Sequence, residues 1–210
     1  MSQRHLEDEL DTQDGPEGRV VLFDVMGTLV HDPFHETMPS FFGMSFEELL
    51  AVKHPTSWLE YERGDRDEAS FLADFFADSR DFDHAGLLKA VKGAYRLLPG
   101  MRRLLEDLDE AGLRVHLFSN YSDWYRYVEE ETGLSDFARW TYVSCDHGPR
   151  KPEAEAFRLA CGFAGVPLEG TVFIDDQPRN VEAAAELGLD AILFRNAADL
   201  RRELVDREIL

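Results

Sequence analysis

Asp24, the pair Ser119-Asn120, Lys151 and the adjacent carboxylates Asp175-Asp176 are the side chains whose types suit joint chemistry. A nucleophilic carboxylate, a hydroxyl, an ammonium and an acidic pair meeting at one point make a phosphoryl-transfer or metal site. Neighbouring carboxylates repel each other and gain from a cation, so Asp175-Asp176 points to metal binding rather than to a plain turn. Lys151 is one of only four lysines, with Lys53, Lys89 and Lys92, and it stands beside this acidic set in the pattern. In an open α/β sheet, ligands bind outside the carboxyl ends of the strands. The chemistry therefore depends on whether strands carry these groups to one edge.

The hydrophobic pattern predicts that they do. Val20 to Phe23 is an unbroken apolar run of the kind buried in a parallel sheet, and it ends on Asp24 just before the turn residues Gly27-Thr28. From Pro99 onward the chain alternates between helix and strand. A helix with Met101, Leu104, Leu105 and Leu108 on one face precedes a strand at Arg114 to Phe118, which delivers Ser119-Asn120. A helix at Asp123 to Thr132 leads to a strand at Trp140 to Val143, then to a loop over Ser144 to Pro152 in which Lys151 directly precedes the next helix. The strand at Thr171 to Ile174 ends on Asp175-Asp176, and a helix from Pro178, a strand at Ala191 to Phe194 and a polar helix complete the chain. Right-handed crossovers then place all four groups on the same edge.

Between these parts, residues 31–96 carry apolar residues at helical spacing and breakers at Pro33, Pro39, Pro55 and Gly64. This predicts a small all-helical insertion after the first strand, with an aromatic-rich cluster of its own. Residues 1–18 are polar and acidic and predict a disordered tail. The expected architecture is α/β: a Rossmann-like parallel sheet over 19–30 and 97–210, with the helical insertion between. Trp58, Tyr61, Glu62 and Arg63 read as core or as a wall of the site, and His31, Asp32 and His35 as linker residues or substrate contacts.

Composition narrows the function. The 210 residues carry 42 acidic and 22 basic side chains, a net charge of −20. Such a surface repels nucleic acid and anionic membranes, so neither is an expected partner. Two cysteines, Cys145 and Cys161, lack metal-ligand spacing and fit a reducing, cytoplasmic compartment. No apolar run is long enough to span a bilayer.

With these motifs in order, the chain resembles the haloacid dehalogenase-like superfamily of hydrolases. Asp24, Gly27 and Thr28 match its first motif, Ser119 its second, Lys151-Pro152 its third and Asp175-Asp176 its fourth. Within it, the chain is most similar to the subgroup with a paired Asp in the fourth motif, which includes the phosphatase domain of epoxide hydrolases. The inserted helices resemble that superfamily's helical cap. The resemblance implies a Mg²⁺-dependent phosphatase acting on a small phosphorylated metabolite, as a monomer or homodimer. Asp24 would attack phosphorus to form an aspartyl-phosphate, with Ser119 and Lys151 also catalytic. Thr28, Ser119, Asn120 and His31 would contact substrate. Asp24, the backbone carbonyl of Met26, Asp175 and Asp176 would hold the metal.

Met26 is a departure, because most phosphatases of the superfamily have a second Asp there as general acid and base. Such a group is worth about 10² to 10⁴ in rate. Water, a substrate group or a residue such as His31 would have to replace it. Two other readings follow from Met26. One is a 2-haloacid dehalogenase, whose halide leaves without a proton; the other is a catalytically silent protein that binds phosphate and Mg²⁺. The acidic fourth motif favours the metal-dependent branch over the first.

The scarcity of lysine within so acidic a chain also fits a protein adapted to high salt, where self-repulsion is screened. Its melting temperature is then expected to rise from low to molar salt in a thermal scan. An unchanged melting temperature rejects the adaptation.

Overall fold

The computed structural model describes residues 19–210, so the expected acidic tail, residues 1–18, lies outside the described residues. Five parallel strands form one sheet: β1 (Val20–Phe23), β2 (Arg114–Ser119), β3 (Arg139–Val143), β4 (Val172–Asp175) and β5 (Asp190–Leu193), in the order β3-β2-β1-β4-β5. Helices cover both faces, and the architecture is the expected α/β fold. The apolar run at β1 is continuous because both of its faces are buried. Val21 and Phe23 enter one core cluster, while Val20 and Leu22 enter the other. β4 repeats the device, with Val172 and Ile174 on the first side and Phe173 on the second.

β1 lies at the centre, paired with β2 on one side and β4 on the other, with Phe23 in register with both Leu117 and Ile174. The chain builds outward from β1 through β2 to β3, then returns to add β4 and β5 on the opposite side. The crevice at such a reversal is where open α/β sheets bind ligands. A shift in register between Leu117 and Phe118 interrupts the β2-β3 ladder just before Ser119.

Five short helices separate β1 from α6 (Met101–Glu110): α1 (Thr37–Phe42), α2 (Phe46–Val52), α3 (Ser57–Glu62), α4 (Glu68–Ala73) and α5 (His84–Lys92). Side chains cap the starts of several of them. Ser45 and Glu48 form a reciprocal capping box at α2, Asp67 accepts from the Ser70 amide at α4, and Asp83 accepts from the Gly86 amide at α5. The expected separate aromatic cluster is corrected by the packing. Phe42, Phe71, Phe75 and Phe76 do stack together, but Trp58, Tyr61 and Phe71 also pack against Trp124, which carries the cluster into the core on one face of the sheet. Trp124 is fully buried just before α7 (Tyr125–Thr132), and its indole N–H donates to Glu68 of α4 at 2.7 Å.

After β3, the segment Ser144–His147, predicted as loop, forms a single helical turn, α8. The following helix α9 (Ala154–Ala164) begins three residues beyond Lys151 instead of directly after it. Lys151 precedes Pro152, which disfavours helical backbone at the residue before it, so Lys151 stays on the loop and is free to reach inward. α10 (Pro178–Glu186) opens with its proline in the first turn, and α11 (Ala197–Asp206) closes the chain.

The inserted helices meet the sheet layer tightly at Gly64, just beyond α3. Gly64 has φ +77°, and a Cβ there would collide with the carbonyl oxygen of Cys145 in α8. Gly64→Ala should therefore destabilise the fold by about 2 to 3 kcal/mol, combining positive-φ strain with a backbone clash. Chemical denaturation checks this; a change under about 0.5 kcal/mol would show that the α3-α8 contact is loose.

Candidate active site

The four groups singled out in the sequence do converge at the carboxyl edge of the sheet. Asp24 follows β1, Ser119 ends β2, Asp175 ends β4, and Lys151 arrives from the loop before α9. The register of the strands accounts for this, because Phe23 is level with Ile174 and the Asp24 amide donates to the Ile174 carbonyl at 2.8 Å. Asp24 and Asp175 therefore emerge side by side.

Lys151 is completely buried between them. Its ammonium donates to Asp24 Oδ1 at 2.6 Å, to Asp175 Oδ2 at 2.8 Å and to the Phe118 carbonyl at 2.8 Å, which uses all three of its protons. Burial alone would lower its pKa, but Asp175 and Asp24 outweigh that and hold it above the ordinary lysine value. Asn120 holds the lysine from behind: its Nδ2 donates to the Lys151 carbonyl and its Oδ1 accepts the Lys151 amide, both at 2.8 Å. Asn180 on α10 does the same for Asp175, donating from Nδ2 to both carboxylate oxygens at 3.0 and 3.1 Å.

Asp24, Asp175 and Asp176 each bring a carboxylate oxygen within 4.8 Å of the others. Gly27 permits that approach: it has φ +84°, and a Cβ there would sit 2.7 Å from Asp176 Oδ2. Burial is the largest effect on Asp24 and, helped by Asp175 and Asp176 against the pull of Lys151, pushes its carboxyl up to about 7. Asp176 is raised too, first by burial and then by Asp175. Three carboxylates against one ammonium leave an excess of negative charge, and Asp24 Oδ2 is buried without a hydrogen-bond partner. An orphaned oxygen among crowded carboxylates suits a hard, oxygen-seeking divalent cation.

A cavity of about 290 Å³ opens over this cluster. Asp24, Met26, Lys151 and Asp176 form its floor, and Phe34, Trp58 and Tyr121 line it with aromatic surface. Asp32, His35, Glu62 and Arg150 complete its polar wall, with Gln177 and Arg179 at the α10 end. Glu62 is buried and held at both oxygens, accepting from Trp58 Nε1 and pairing with Arg150 Nη2, each at 2.7 Å.

Several expectations need adjustment against this geometry. His31 is not among the cavity-lining residues; its amide donates to the Arg96 carbonyl at 2.9 Å, and its neighbours Asp32 and His35 face the cavity instead. Asn120 lines the cavity, but its amide group is committed to the Lys151 backbone, so it positions that lysine. Thr28 and Ser119 are buried and their hydroxyls have no partner in the structure; neither is among the lining residues. Of the α3 candidates, Trp58 and Glu62 reach the cavity. Tyr61 bonds Asp123 within the core, and Arg63 pairs with Glu153 and donates to the Gly148 carbonyl. Burial pushes the Cys145 thiol up to about 12, which agrees with a structural cysteine. Phe34, Tyr121, Arg150 and Asn180 were not picked out as site residues. Arg150 and Tyr121 directly adjoin Lys151 and Asn120, and that adjacency was the available signal.

Comparison with known proteins agrees with this geometry. The model of the family described as haloacid dehalogenase-like hydrolase matches residues 19–188. A chloroplastic flavin mononucleotide hydrolase 1 of Arabidopsis thaliana is 42% identical over 187 residues, covering 89% of this chain and 76% of that protein. A phosphoglycolate phosphatase of Pseudomonas syringae is 26% identical, covering 83% of this chain and 68% of its own. Among solved structures, a HAD family enzyme of Bacteroides thetaiotaomicron superposes with a TM-score of 0.73 at 22% identity, covering 89% of this chain and 98% of its own. That enzyme has also been solved, as an Asp-to-Ala variant, with magnesium and inorganic phosphate, with a TM-score of 0.69. With four motifs gathered at one sheet edge and a family match over most of its length, this chain belongs to the haloacid dehalogenase-like hydrolase family.

Proposed function

We propose that this protein is a Mg²⁺-dependent phosphatase that cleaves a small phosphomonoester through an aspartyl-phosphate at Asp24. The observation that carries the reading is the buried cluster of Asp24, Asp175 and Asp176, bridged by Lys151 and left with excess negative charge and an orphaned Asp24 oxygen. Asp24, Asp175 and Asp176, with the Met26 carbonyl, would hold the cation. When bound, Mg²⁺ supplies charge neutralisation where phosphate and Asp24 meet. Lys151 pulls the Asp24 carboxyl toward its ionised form against the effect of burial, orients it, and lessens repulsion as a second anion enters. The Ser119 hydroxyl, without a partner in the structure, donates to a non-bridging phosphoryl oxygen, and Thr28 braces the loop around Gly27.

The substrate's organic part lies against Phe34, Trp58 and Tyr121, beneath the helices of residues 31–96, which act as a cap. Aromatic walls suit a flat ring system. The flavin mononucleotide hydrolase named among the relatives makes a flavin phosphate the first substrate to try. The dehalogenase reading accounts for Met26 but has no use for the three clustered carboxylates. Among the described residues no helix is long and apolar enough to cross a membrane, and the two free thiols support a reducing, cytoplasmic setting.

Phosphate release from p-nitrophenyl phosphate and flavin mononucleotide should require Mg²⁺ and vanish in Asp24→Asn, with no halide released from chloroacetate. Absence of turnover in the wild type would leave the silent binding protein, and halide release would establish the dehalogenase. Lys151→Ala leaves two buried carboxylates facing each other, so urea unfolding without metal should show a loss of about 3 to 5 kcal/mol. Mg²⁺ should recover part of it, because a ligand that binds only the folded state stabilises it. No recovery would mean that the carboxylate cluster does not hold the cation.

A further inference from the structure

We propose that Asp32 is the general acid and base of this site, doing from the wall of the cavity what the side chain at Met26 cannot do from its floor. The proposal rests on the phosphatase reading above and assigns a catalytic group within it. Four carboxyl groups line the cavity: Asp24, Asp32, Glu62 and Asp176. Asp24 is the nucleophile. Asp176 belongs to the cation cluster and accepts from Gln177 Nε2 at 2.7 Å. Glu62 has both oxygens engaged by Trp58 and Arg150. Asp32 lies outside the cation cluster and keeps an oxygen to spare: Oδ1 accepts the Phe34 amide at 2.9 Å, while Oδ2 has only His35 Nε2 at 3.9 Å.

The backbone explains why Asp32 and not His31 faces the cavity. Leu29 to His31 runs antiparallel to Arg96 to Leu98: the Leu98 amide donates to Leu29, Val30 bridges Leu97, and the His31 amide donates to Arg96. Successive side chains of such a segment point to opposite sides, so turning His31 away turns Asp32 toward the site. The segment also joins the sheet edge to the inserted helices, which fixes Asp32 relative to Asp24.

Burial raises the Asp32 carboxyl, and the Phe34 amide, His35 and His31 pull it partly back. Other charged or titratable groups around it are Glu62 and Arg150 on the cavity wall and Tyr95 and Tyr121, which all lie within electrostatic reach or share the cavity. Lys53 lies within electrostatic reach of Glu62, and Arg179 lines the cavity at its α10 end. An upward shift moves a carboxyl toward the protonated form that a general acid needs.

The proton balance closes without another reagent. Asp24 forms its bond to phosphorus as the bond from phosphorus to the leaving oxygen breaks, and protonated Asp32 gives its proton to that oxygen. Asp32 carboxylate then takes a proton from water as the water oxygen bonds to phosphorus and the Asp24 oxygen departs. Alcohol and phosphate leave, one water is consumed, and Asp32 is protonated again.

The test exploits leaving groups, because p-nitrophenolate departs without a proton whereas an alkoxide does not. Wild type, Asp32→Asn, Asp32→Glu and His31→Ala would be assayed with Mg²⁺ on p-nitrophenyl phosphate, flavin mononucleotide and phosphoglycolate. In a single turnover, Asp32→Asn should lose about 10² to 10⁴ in the rate of leaving-group release on whichever alkyl phosphate the wild type hydrolyses and at most a few fold on p-nitrophenyl phosphate, while hydrolysis of the aspartyl-phosphate slows equally after either ester. The retained aryl activity also shows that the variant folds. Asp32→Glu should recover part of the loss, and His31→Ala should match the wild type. The wild-type kcat for the alkyl ester should fall as pH rises through the Asp32 pKa, and Asp32→Asn should lose that limb. Leaving-group release by Asp32→Asn that equals the wild type on both ester types, or is slowed equally on both, overturns the role of Asp32 and leaves the phosphatase standing. Wild-type turnover of the aryl ester alone, among these esters, overturns it as well. No turnover of any ester overturns the phosphatase reading, and this proposal with it.

Discussion

The buried ammonium of Lys151 between Asp24 and Asp175 is the interaction on which the rest of the site depends. Two carboxylates brought to adjacent strand ends in a dry sheet edge repel each other, and the fully buried ammonium offsets that repulsion by bonding to both. That is costly to arrange, since a lysine must be stripped of water and held with every proton satisfied. The fold meets the cost through neighbours that do no chemistry. Asn120 grips the Lys151 backbone at both its amide and its carbonyl, Phe118 offers a carbonyl, and Asn180 braces Asp175 from α10.

This arrangement also explains why β1 and β4 lie side by side in the middle of the sheet. An edge strand would leave its terminal carboxylate open to water, where the pairing with lysine would be weak and screened. Placed centrally, with Val20 to Phe23 buried on both faces, the strand ends form a low-dielectric floor. Gly27 then lets Asp176 fold over it. The excess of negative charge at this floor suits a cation, and the Phe118 carbonyl gives Lys151 a third partner.

The fold and this floor were legible in the sequence because each rests on a local pattern. A doubly buried strand needs an unbroken apolar run, and each run here leads into one of the residues gathered at the sheet edge: Asp24, Ser119 and Asp175. The cavity wall was less legible. Phe34, Trp58, Tyr121 and Arg150 come together only through packing of short helices against the sheet, and aromatic residues at helical spacing look alike whether they fill a core or face a ligand. Trp58 and Tyr61 show the difficulty: three residues apart on α3, one reaches the cavity and the other is core. The choice between His31 and Asp32 turned on a short antiparallel ladder of Leu29 to His31 with Arg96 to Leu98, pairing across more than sixty positions, which no local pattern announces.

The site thus divides by origin. Its floor comes from strand ends, is rigid, and sets the electrostatics that any phosphomonoester would meet. Its wall comes from the segment after β1, from α3, and from Tyr121 and Arg150 in the loops before α7 and α9, and it faces the part of the cavity where organic leaving groups would differ. A proton donor on the floor serves every substrate alike, whereas one on the wall acts only when the substrate is seated against that wall. With Asp32 in the proposed role, Met26 on the floor ties proton transfer to recognition. A poorly held ester then reaches the nucleophile without meeting the proton its leaving group needs.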